Sequence, residues 1–391
     1  MALTIGVPRE TFPGERRVAL VPRTCEALGK LTVSVIVEQG AGAEAGFPDD
    51  QFVARGARLG TRAEVFQSDI VVQVRSLGAN PDAGRADLAL MKRGQTIIGF
   101  GEPLTALDAD NDLAGAGVSF FSMELMPRIT RAQSMDALSS MATIAGYRAV
   151  LLAATSLPKI FPMLMTAAGT VTPARVLVLG AGVAGLQAIA TSRRLGAVVH
   201  AYDVRSAVKE QIESLGAKFV TLEIDAAASE DKGGYAKAMG EEFYKKQREQ
   251  LQAVIREQDV LITTAAVPGK KAPILVTAEM AAAMAPGSVI VDIAAERGGN
   301  CELTRAGQTI VHQGITIMGP VNMASDIPFH ASQMYSSNVN SFLKLMLTKE
   351  GELKVNRDDE IIRETLVTHS GEVVHARVAE LAGLAPAGEG R

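Results

Sequence analysis

The sequence predicts an α/β protein in which two doubly wound, mostly parallel sheets form two domains with a deep cleft between them. The chain has 391 residues, which is enough for two or three domains. Strand-like apolar runs alternate with helical patterns through the first ~125 residues, and this order is typical of a parallel sheet covered on both faces. Residues 174–205 then contain a strand, a glycine-rich turn, a helix, a second strand and an acidic residue in succession.

The first domain is predicted from residues 1–146 together with 327–391. Short apolar runs predict its strands at 3–7, 32–38, 69–74, 95–100 and 117–122. Helical patterns occupy 18–31 and 50–56, and a long amphipathic helix at 334–347 is expected to return to this domain. No glycine-rich fingerprint occurs here, so this domain need not hold a nucleotide alone.

A polar loop and a long helix lead out of the first domain. Residues 123–136 combine Pro127 with a cluster of polar side chains, and a helical pattern follows at 137–152. A loop followed by one long helix is typical of an interdomain hinge. Residues 161–174 are rich in Met and predict an outward β-hairpin that is apolar on one side, which favours a contact between subunits.

The glycine-rich turn in the second domain, residues 147–326, predicts a dinucleotide site. Gly180 permits a tight turn, Gly182 lets the backbone approach a pyrophosphate, and Gly185 lets the helix pack against the strand. The helix N-terminus offers N–H groups and a partial positive charge to the phosphates. Asp203 can accept hydrogen bonds from both hydroxyls of an adenosine ribose and would repel a 2′-phosphate. This favours NAD(H) over NADP(H), although Arg205 is close in sequence and could serve a 2′-phosphate.

The rest of the second domain continues the alternation of strands and helices. Strands are predicted at 218–222, 259–265, 288–292 and 315–318, with helices at 207–215, 241–257 and 277–284. Residues 223–240 are acidic and rich in Ala and Gly, which predicts a mobile loop. Because ligands bind at the carboxyl ends of parallel strands, residues 263–267 are expected to line the dinucleotide.

Composition excludes several other functions. The net charge is −4 without a long basic run, which argues against nucleic-acid binding. Cys25 and Cys301 lack a CxxC or His cluster, so we expect buried thiols and no metal site. Residues 142–165 come nearest to a membrane helix, but Arg148, Lys159 and two prolines interrupt them. The sequence therefore predicts no direct membrane insertion.

A dense polar cluster and a missing catalytic pair narrow the chemistry. Residues 128–136 contain two arginines, Gln133, Ser134 and Asp136, and they form either a solvated loop or a clamp on a nicotinamide. We find no His–Asp or Lys–His pair placed for acid–base work. A dehydrogenase that oxidises an alcohol or amine must move a proton as well as a hydride. A protein that passes hydride between two nicotinamides needs only to hold the two rings face to face.

Long motifs at 123–150, 164–197, 233–243, 286–292 and 298–301 closely resemble the NAD(H)-binding component of the proton-translocating nicotinamide nucleotide transhydrogenases. The resemblance implies hydride transfer from NADH to NADP⁺ held on a separate NADP(H)-binding partner, coupled to proton movement by membrane-spanning subunits. It also implies a homodimer that is cytoplasmic and peripherally associated with the inner membrane. Since the chain ends at Arg391 without a membrane span, it is similar to the split form of that enzyme.

The same resemblance implies the site residues. Arg128, Gln133, Asp136 and Ser139 would position the nicotinamide, without an acid–base pair. The motif, the strand ends and the resemblance together give the residues expected to bind the nucleotide, which are Arg128, Ile129, Gln133, Ser134, Met135, Asp136, Gly180, Gly182, Val183, Ala184, Gly185, Asp203, Val204, Arg205, Gly234, Tyr235, Thr264, Ala265, Ala266 and Val267.

Two other functions remain open at this point. Alanine dehydrogenase has a similar fold, but its motif carries a Lys and a His at strand ends that here read Arg75 and Gly101. Arg17 resembles the arginine that meets the substrate carboxylate in that enzyme, and transhydrogenases share it. A non-catalytic NAD(H) sensor is the third hypothesis.

Departures from the transhydrogenase pattern at 72–78, 268–273 and 322–328 concern the cleft and the partner surface rather than the NAD site.

Overall fold

The computed structural model describes residues 2–223, 241–266 and 269–384. It divides into two compact units, Met1–Met141 with Ser325–Arg391, and Ala142–Ala324. The predicted boundaries after residues 146 and 326 lie a few residues further along the chain. Each unit contains a doubly wound, mainly parallel sheet, so the prediction of an α/β fold with two such domains is confirmed.

The first unit begins with alternating strands and helices. Its strands are β1 Thr4–Val7, β2 Ser34–Glu38, β3 Arg58–Gly60, β4 Ile70–Arg75, β5 Thr96–Phe100 and β6 Ser119–Ser122. Its helices are α1 Pro22–Gly29, α2 Asp49–Ala54, α3 Arg62–Val65 and α4 Leu107–Gly115. The strands β1 and β4 pair in parallel, and their residues Ile5, Ile70 and Val71 are fully buried. A helix was expected from residue 18, but α1 begins only at Pro22, because proline fits the first turn of a helix and disfavours helical structure just before it.

A 3-10 helix at Thr130–Met135 precedes the long helix α5, Ala137–Ser156. By length and composition alone, α5 could cross a membrane, and it is the single described helix of that kind. The core helix of a soluble protein passes the same test. Ala149, Val150 and Ala153 of α5 are fully buried in the core of the second unit, which supports a role as a core helix.

The second unit contains the predicted hairpin and a sheet of the dinucleotide-binding type. The hairpin strands β7 Leu164–Thr166 and β8 Gly169–Val171 are antiparallel, so the predicted hairpin is confirmed. The sheet is formed by β9 Arg175–Leu179, β10 Val198–Tyr202, β11 Lys218–Phe219, β12 Val260–Thr263, β13 Val289–Asp292, β14 Thr309–His312 and β15 Ile315–Met318. The helices are α6 Val183–Arg194, α7 Lys209–Ser214, α8 Glu241–Arg256 and α9 Ala278–Ala282.

Strand order in this sheet determines where a ligand can lie. Among the described residues the order is β11-β10-β9-β12-β13-β15-β14, with only β14 antiparallel. After β9, the next two strands in sequence, β10 and β11, lie on one side of it, and the strands from β12 onward lie on the other side. The order reverses beside β9, and open α/β sheets bind their ligands at the carboxyl ends of the strands at such a reversal.

The C-terminal segment returns to the first unit, as predicted. It contains α10 Pro328–Met346, α11 Glu360–Thr365, β16 Leu366–His369, β17 Glu372–Val373 and α12 Ala376–Leu381. In the described chain the first sheet has the order β17-β16-β6-β5-β4-β1-β2-β3, and β16 runs antiparallel to β6. The helical pattern at 334–347 predicted α10, but the antiparallel strands were missed, because they are too short to give a clear periodicity.

Candidate functional site

The glycine-rich turn connects β9 to α6 by close backbone packing. Gly180 has φ +98°, a conformation that strongly favours glycine, and a Cβ there would lie 2.6 Å from Thr264 Oγ1. A Cβ on Gly185 would lie 1.9 Å from the carbonyl oxygen of Gly180, so the first turn of α6 rests directly on the turn. On another side, a Cβ on Gly146 of α5 would lie 2.1 Å from the carbonyl oxygen of Ala184. These three glycines are required by the fold itself.

Gly182 differs from the other glycines of the motif. It is the N-cap of α6 with φ −73° and ψ −169°, which any residue can adopt. A Cβ built on it meets no described atom within 4 Å. The fold therefore does not need glycine at this position, whereas a phosphate approaching the backbone at the helix N-terminus would. Val183 and Ala184, the next two residues, are half-buried in the first turn of α6.

Asp203 lies at the carboxyl end of β10, where the sequence predicts the ribose contact. Its Oδ2 accepts a hydrogen bond from the backbone N–H of Ala181 at 2.7 Å, which ties the end of β10 to the glycine-rich turn. The guanidinium of Arg205 binds both carboxylate oxygens at 2.9 Å, and the N–H of Arg205 donates to Oδ1. The pair is nearly buried, with side-chain exposures of 11% for Arg205 and 5% for Asp203. Arg205 thus neutralises the carboxylate that was expected to face the ribose.

A buried glutamine binds the side chain of Tyr202, the residue before Asp203, and sequence reasoning missed it. Gln247 of α8 donates its amide N–H to the hydroxyl of Tyr202 at 2.9 Å. Its Oε1 is buried without a partner among the described residues. An unsatisfied buried carbonyl is costly to stability. The only sequence signal was a polar residue on the apolar side of a charged helix.

The segment after β12 lies on the other side of the glycine-rich turn. Thr264 donates its hydroxyl to the carbonyl oxygen of Gly180 at 3.1 Å. Ala265 is held by the side chain of Asn300, which accepts from its N–H at 2.9 Å and donates to its carbonyl at 2.8 Å. Ala266 is exposed. The structure therefore brings Gly180, Asp203 and the segment 264–266 together at adjacent strand ends of one sheet.

The polar loop of the first unit is also well defined. The side chains of Arg128, Gln133 and Ser134 are exposed, those of Ile129, Asp136 and Ser139 are half-buried, and that of Met135 is buried. Asp136 caps α5, because its Oδ1 accepts from the N–H of Ser139 at 2.9 Å and its Oδ2 accepts from the Ser139 hydroxyl at 2.5 Å. Asp136 and Ser139 therefore fix where the loop ends and the helix begins.

Two further contacts hold this loop, and neither was anticipated from the sequence. Arg131 forms a bidentate ion pair with Asp359 at 2.6 and 2.8 Å, and Asp359 also caps α11 through the N–H of Ile361. Asn338 of α10 donates its amide N–H to the carbonyl oxygen of Ser134 at 2.9 Å. Both partners lie in the C-terminal segment, more than 200 positions away, so local patterns could not reveal them.

A buried charge network lies beside β4 in the first unit. Both oxygens of Glu15 bind the guanidinium of Arg17, at 2.7 and 2.6 Å, and Arg75 Nε donates to Glu15 at 3.1 Å. Although burial opposes ionisation of Glu15, its hydrogen bonds and ion pairs with Arg17 dominate and lower its pKa to about 2. Glu10, buried and close to Glu15, has its pKa raised to about 8, mainly by desolvation. Arg17 is thus engaged by a carboxylate of its own chain.

Some predicted residues fall outside the described part of the structure. Gly234, Tyr235 and Val267 are among them, and so is the expected mobile loop apart from Glu223. Cys25 and Cys301 are buried, and burial raises their pKa values to about 12 and about 11, so both thiols stay protonated at neutral pH. Within the described ranges there is no group of three or more His, Cys, Asp or Glu side chains suited to a metal ion.

Comparison with known proteins identifies the family. The model of the alanine dehydrogenase/PNT N-terminal domain matches residues 6–145, and that of the C-terminal domain matches residues 149–376. The chain belongs to the alanine dehydrogenase/PNT family. This match, together with the identity to a transhydrogenase alpha subunit given below, confirms the resemblance deduced from the sequence motifs.

Within this family the chain is more similar to transhydrogenases than to alanine dehydrogenases. It is 47% identical to the first part of the NAD(P) transhydrogenase alpha subunit of Rhodospirillum rubrum, over 95% of this chain and 98% of that protein. The transhydrogenase structure from Sinorhizobium meliloti matches with a TM-score of 0.85 and 44% identity, over 95% of this chain and 100% of that one. The alanine dehydrogenase of Halomonas elongata is 30% identical, over 98% of this chain and 97% of that protein.

Proposed function

We propose that this chain is the NAD(H)-binding subunit of a proton-translocating transhydrogenase. In this role it binds NADH and presents it to NADP⁺ held on a separate partner component, while membrane-spanning subunits couple hydride transfer to proton translocation. The observation that carries the nucleotide assignment is Gly182, a glycine that the fold does not need, at a helix N-terminus beside Asp203. The name of the Rhodospirillum rubrum relative supports the transhydrogenase role.

The strand order supports one orientation of the dinucleotide. Asp203 at the end of β10 takes the adenosine ribose, and the turn at Gly180, Gly182 and Gly185 takes the pyrophosphate. Because β9 lies between β10 and β12, the nicotinamide half extends toward the segment after β12. Both oxygens of Asp203 accept hydrogen bonds from the guanidinium of Arg205. When the nucleotide binds, the ribose hydroxyls donate to these oxygens in place of the guanidinium.

We propose that the loop of the first unit positions the nicotinamide ring, with Arg128, Gln133, Asp136 and Ser139 as the positioning residues. NADH supplies the hydride when it is bound. The chain's own residues then need only to orient the ring, because transfer between two nicotinamides releases no proton. The cap formed by Asp136 and Ser139, together with the tether between Arg131 and Asp359, supports a loop that is held in place before the ligand arrives.

The ends of two strands argue against amino-acid oxidation, the second function considered. The guanidinium of Arg17 donates to both oxygens of Glu15, as that of Arg205 does to Asp203, so this pairing does not decide between the functions. At the ends of β4 and β5, where the alanine dehydrogenase motif carries Lys and His, this chain has Arg75 and Gly101.

We further propose a homodimer, formed in part through the β7–β8 hairpin. Met165 is 82% exposed, and Met163 and Leu164 beside it are also exposed. Exposed apolar side chains grouped on one hairpin are typical of a contact with another subunit. The complete assembly would include the NADP(H)-binding component and the membrane-spanning subunits, with this chain on the cytoplasmic side of the inner membrane.

One assay separates the three hypotheses. The purified chain is mixed with NADH, an NAD analogue and a partner component loaded with NADP⁺, and reduction of the analogue is followed. We expect turnover only when the chain and the partner are both present. NADH binding without transfer to any partner would favour a sensor, and turnover with pyruvate and ammonia alone would overturn the proposal in favour of an amino-acid dehydrogenase.

A further inference from the structure

Asn300 forms a buried hydrogen-bonded clamp on the segment after β12. Its side chain is fully buried. The amide accepts from the N–H of Ala265 at 2.9 Å and donates to the carbonyl oxygens of Ala265 at 2.8 Å and Pro273 at 2.9 Å. Because a backbone N–H requires an acceptor and two carbonyls require donors, the orientation of the amide is determined by its partners.

The clamp is itself held by Asp292 at the carboxyl end of β13. Oδ2 of this buried carboxylate accepts from the N–H groups of Asn300 and Cys301, at 2.7 and 3.0 Å, and from the Thr304 hydroxyl at 2.7 Å. Gly299 has φ +79°, and a Cβ there would lie 2.7 Å from Asp292 Oδ2. The turn can therefore wrap this closely around the carboxylate only because residue 299 is glycine. These hydrogen bonds hold the side chain of Asn300 in a single conformation.

The clamp acts at one end of the proposed dinucleotide site and not at the other. In the sheet, β12 and β10 lie on opposite sides of β9. Asp203 at the end of β10 is bound by Ala181 and Arg205, which both lie outside the Asn300 network. Ala265, in contrast, has both its N–H and its carbonyl bound by Asn300. Asn300 binds the segment 264–266 directly and reaches the adenosine end only indirectly, through Thr264 and the turn at Gly180. Displacing the clamp should therefore affect the nicotinamide half much more than the adenosine end.

We propose that Asn300, supported by Asp292 and Thr304, is a positioning residue for the nicotinamide half of the dinucleotide. The inference rests on the proposed NAD(H) function. Asn300 itself makes no direct contact with the nucleotide. It acts through the backbone of Ala265, which it keeps in the position where the segment after β12 meets the ligand.

Binding of a whole and a truncated nucleotide tests the proposal. NADH and 5′-AMP are titrated by calorimetry into the full-length chain and into the Asn300→Ala, Asn300→Asp and Thr304→Val variants. Asn300→Asp keeps the acceptor for the Ala265 N–H but turns a carboxylate oxygen toward two carbonyls. Thr304→Val keeps the side-chain volume and removes only the hydroxyl that binds Asp292, so it tests the network if the Asn300 variants do not fold. Asn80→Asp is the matched control, because Asn80 is equally buried and donates to Thr11 in the first unit.

We expect the Asn300 variants to bind NADH about tenfold more weakly, because the displaced segment 264–266 loses one or two hydrogen bonds to the nicotinamide half. They should bind 5′-AMP as tightly as the unaltered chain does, because 5′-AMP lacks that half. Thr304→Val should give a smaller change in the same direction, and Asn80→Asp should give none. Unchanged NADH affinity, or an equal loss for both ligands, would overturn the proposal. Failure of the unaltered chain to bind NADH would instead refute the proposed function on which it rests.

Discussion

Gly182 offers the sharpest separation of binding from folding in this chain. A Cβ at this position meets no described atom within 4 Å, and the backbone conformation is allowed for any residue. Gly182→Ala should therefore change the free energy of unfolding by less than about 1 kcal/mol, because the effects of chain entropy and of a weaker N-cap oppose each other. The added methyl group would occupy the space that a pyrophosphate needs. Losing one or two charge-assisted hydrogen bonds costs about 1.5–3 kcal/mol each, which predicts NADH binding at least about tenfold weaker.

Gly185→Ala is the matched control, because its Cβ would lie 1.9 Å from the carbonyl oxygen of Gly180. The added Cβ would clash with the backbone of Gly180, which cannot move aside as a flexible side chain could. We therefore expect this variant to lose about 2–3 kcal/mol of stability. The assays are urea unfolding followed by circular dichroism and titration of NADH fluorescence. If Gly182→Ala binds NADH as tightly as the unaltered chain, the pyrophosphate does not approach this backbone and the reasoning is refuted.

Four further predictions concern particular side chains. Asp203→Ala should weaken NADH binding about tenfold, since hydrogen bonds to a charged group contribute about 1.5–3 kcal/mol. Arg205→Ala should increase the preference for NADH over NADPH, because it leaves the carboxylate of Asp203 unneutralised. Titration of each variant with both nucleotides measures these effects, and equal preferences in all variants would contradict them. Asp110 is buried with both carboxylate oxygens unpartnered in the described chain, and desolvation raises its pKa to about 8. The native state therefore favours its protonated form, and stability falls as pH rises from about 4 to about 8. At pH 9, Asp110→Asn should be more stable than the unaltered chain by about 2 kcal/mol, and this gain should be smaller at pH 5. The same pH dependence of urea unfolding for both proteins would contradict this. Met165→Asp should shift a dimer toward monomer in sedimentation velocity, and an unchanged dimer would place the interface elsewhere.

The dinucleotide motif was predictable because it is local. Strand, turn and helix lie within about 30 residues, and each glycine has a distinct steric reason. The sequence could not show that, of the three glycines of the motif, only Gly182 has room for a Cβ among the described atoms, or that Arg205 neutralises Asp203. Both facts depend on three-dimensional neighbours that the sequence pattern does not specify.

The partners of the polar loop were not predictable for a related reason. Arg131 pairs with Asp359, and Asn338 binds the backbone of Ser134, across more than 200 positions. The antiparallel strands β16 and β17 were missed because strands of four and two residues show too little alternation. Asn300 belonged to a recognised motif, but its role became visible only through its hydrogen bonds to Ala265 and Pro273.

Isotope transfer tests the central claim most directly. NADH carrying deuterium at both C4 positions is incubated with the chain and its NADP⁺-loaded partner component, and the products are analysed by mass spectrometry. We expect one deuterium in the NADPH formed, without loss to water, and only when the chain and its partner are both present. Formation of unlabelled NADPH, or oxidation of NADH that requires pyruvate and ammonia in place of the partner, would contradict it.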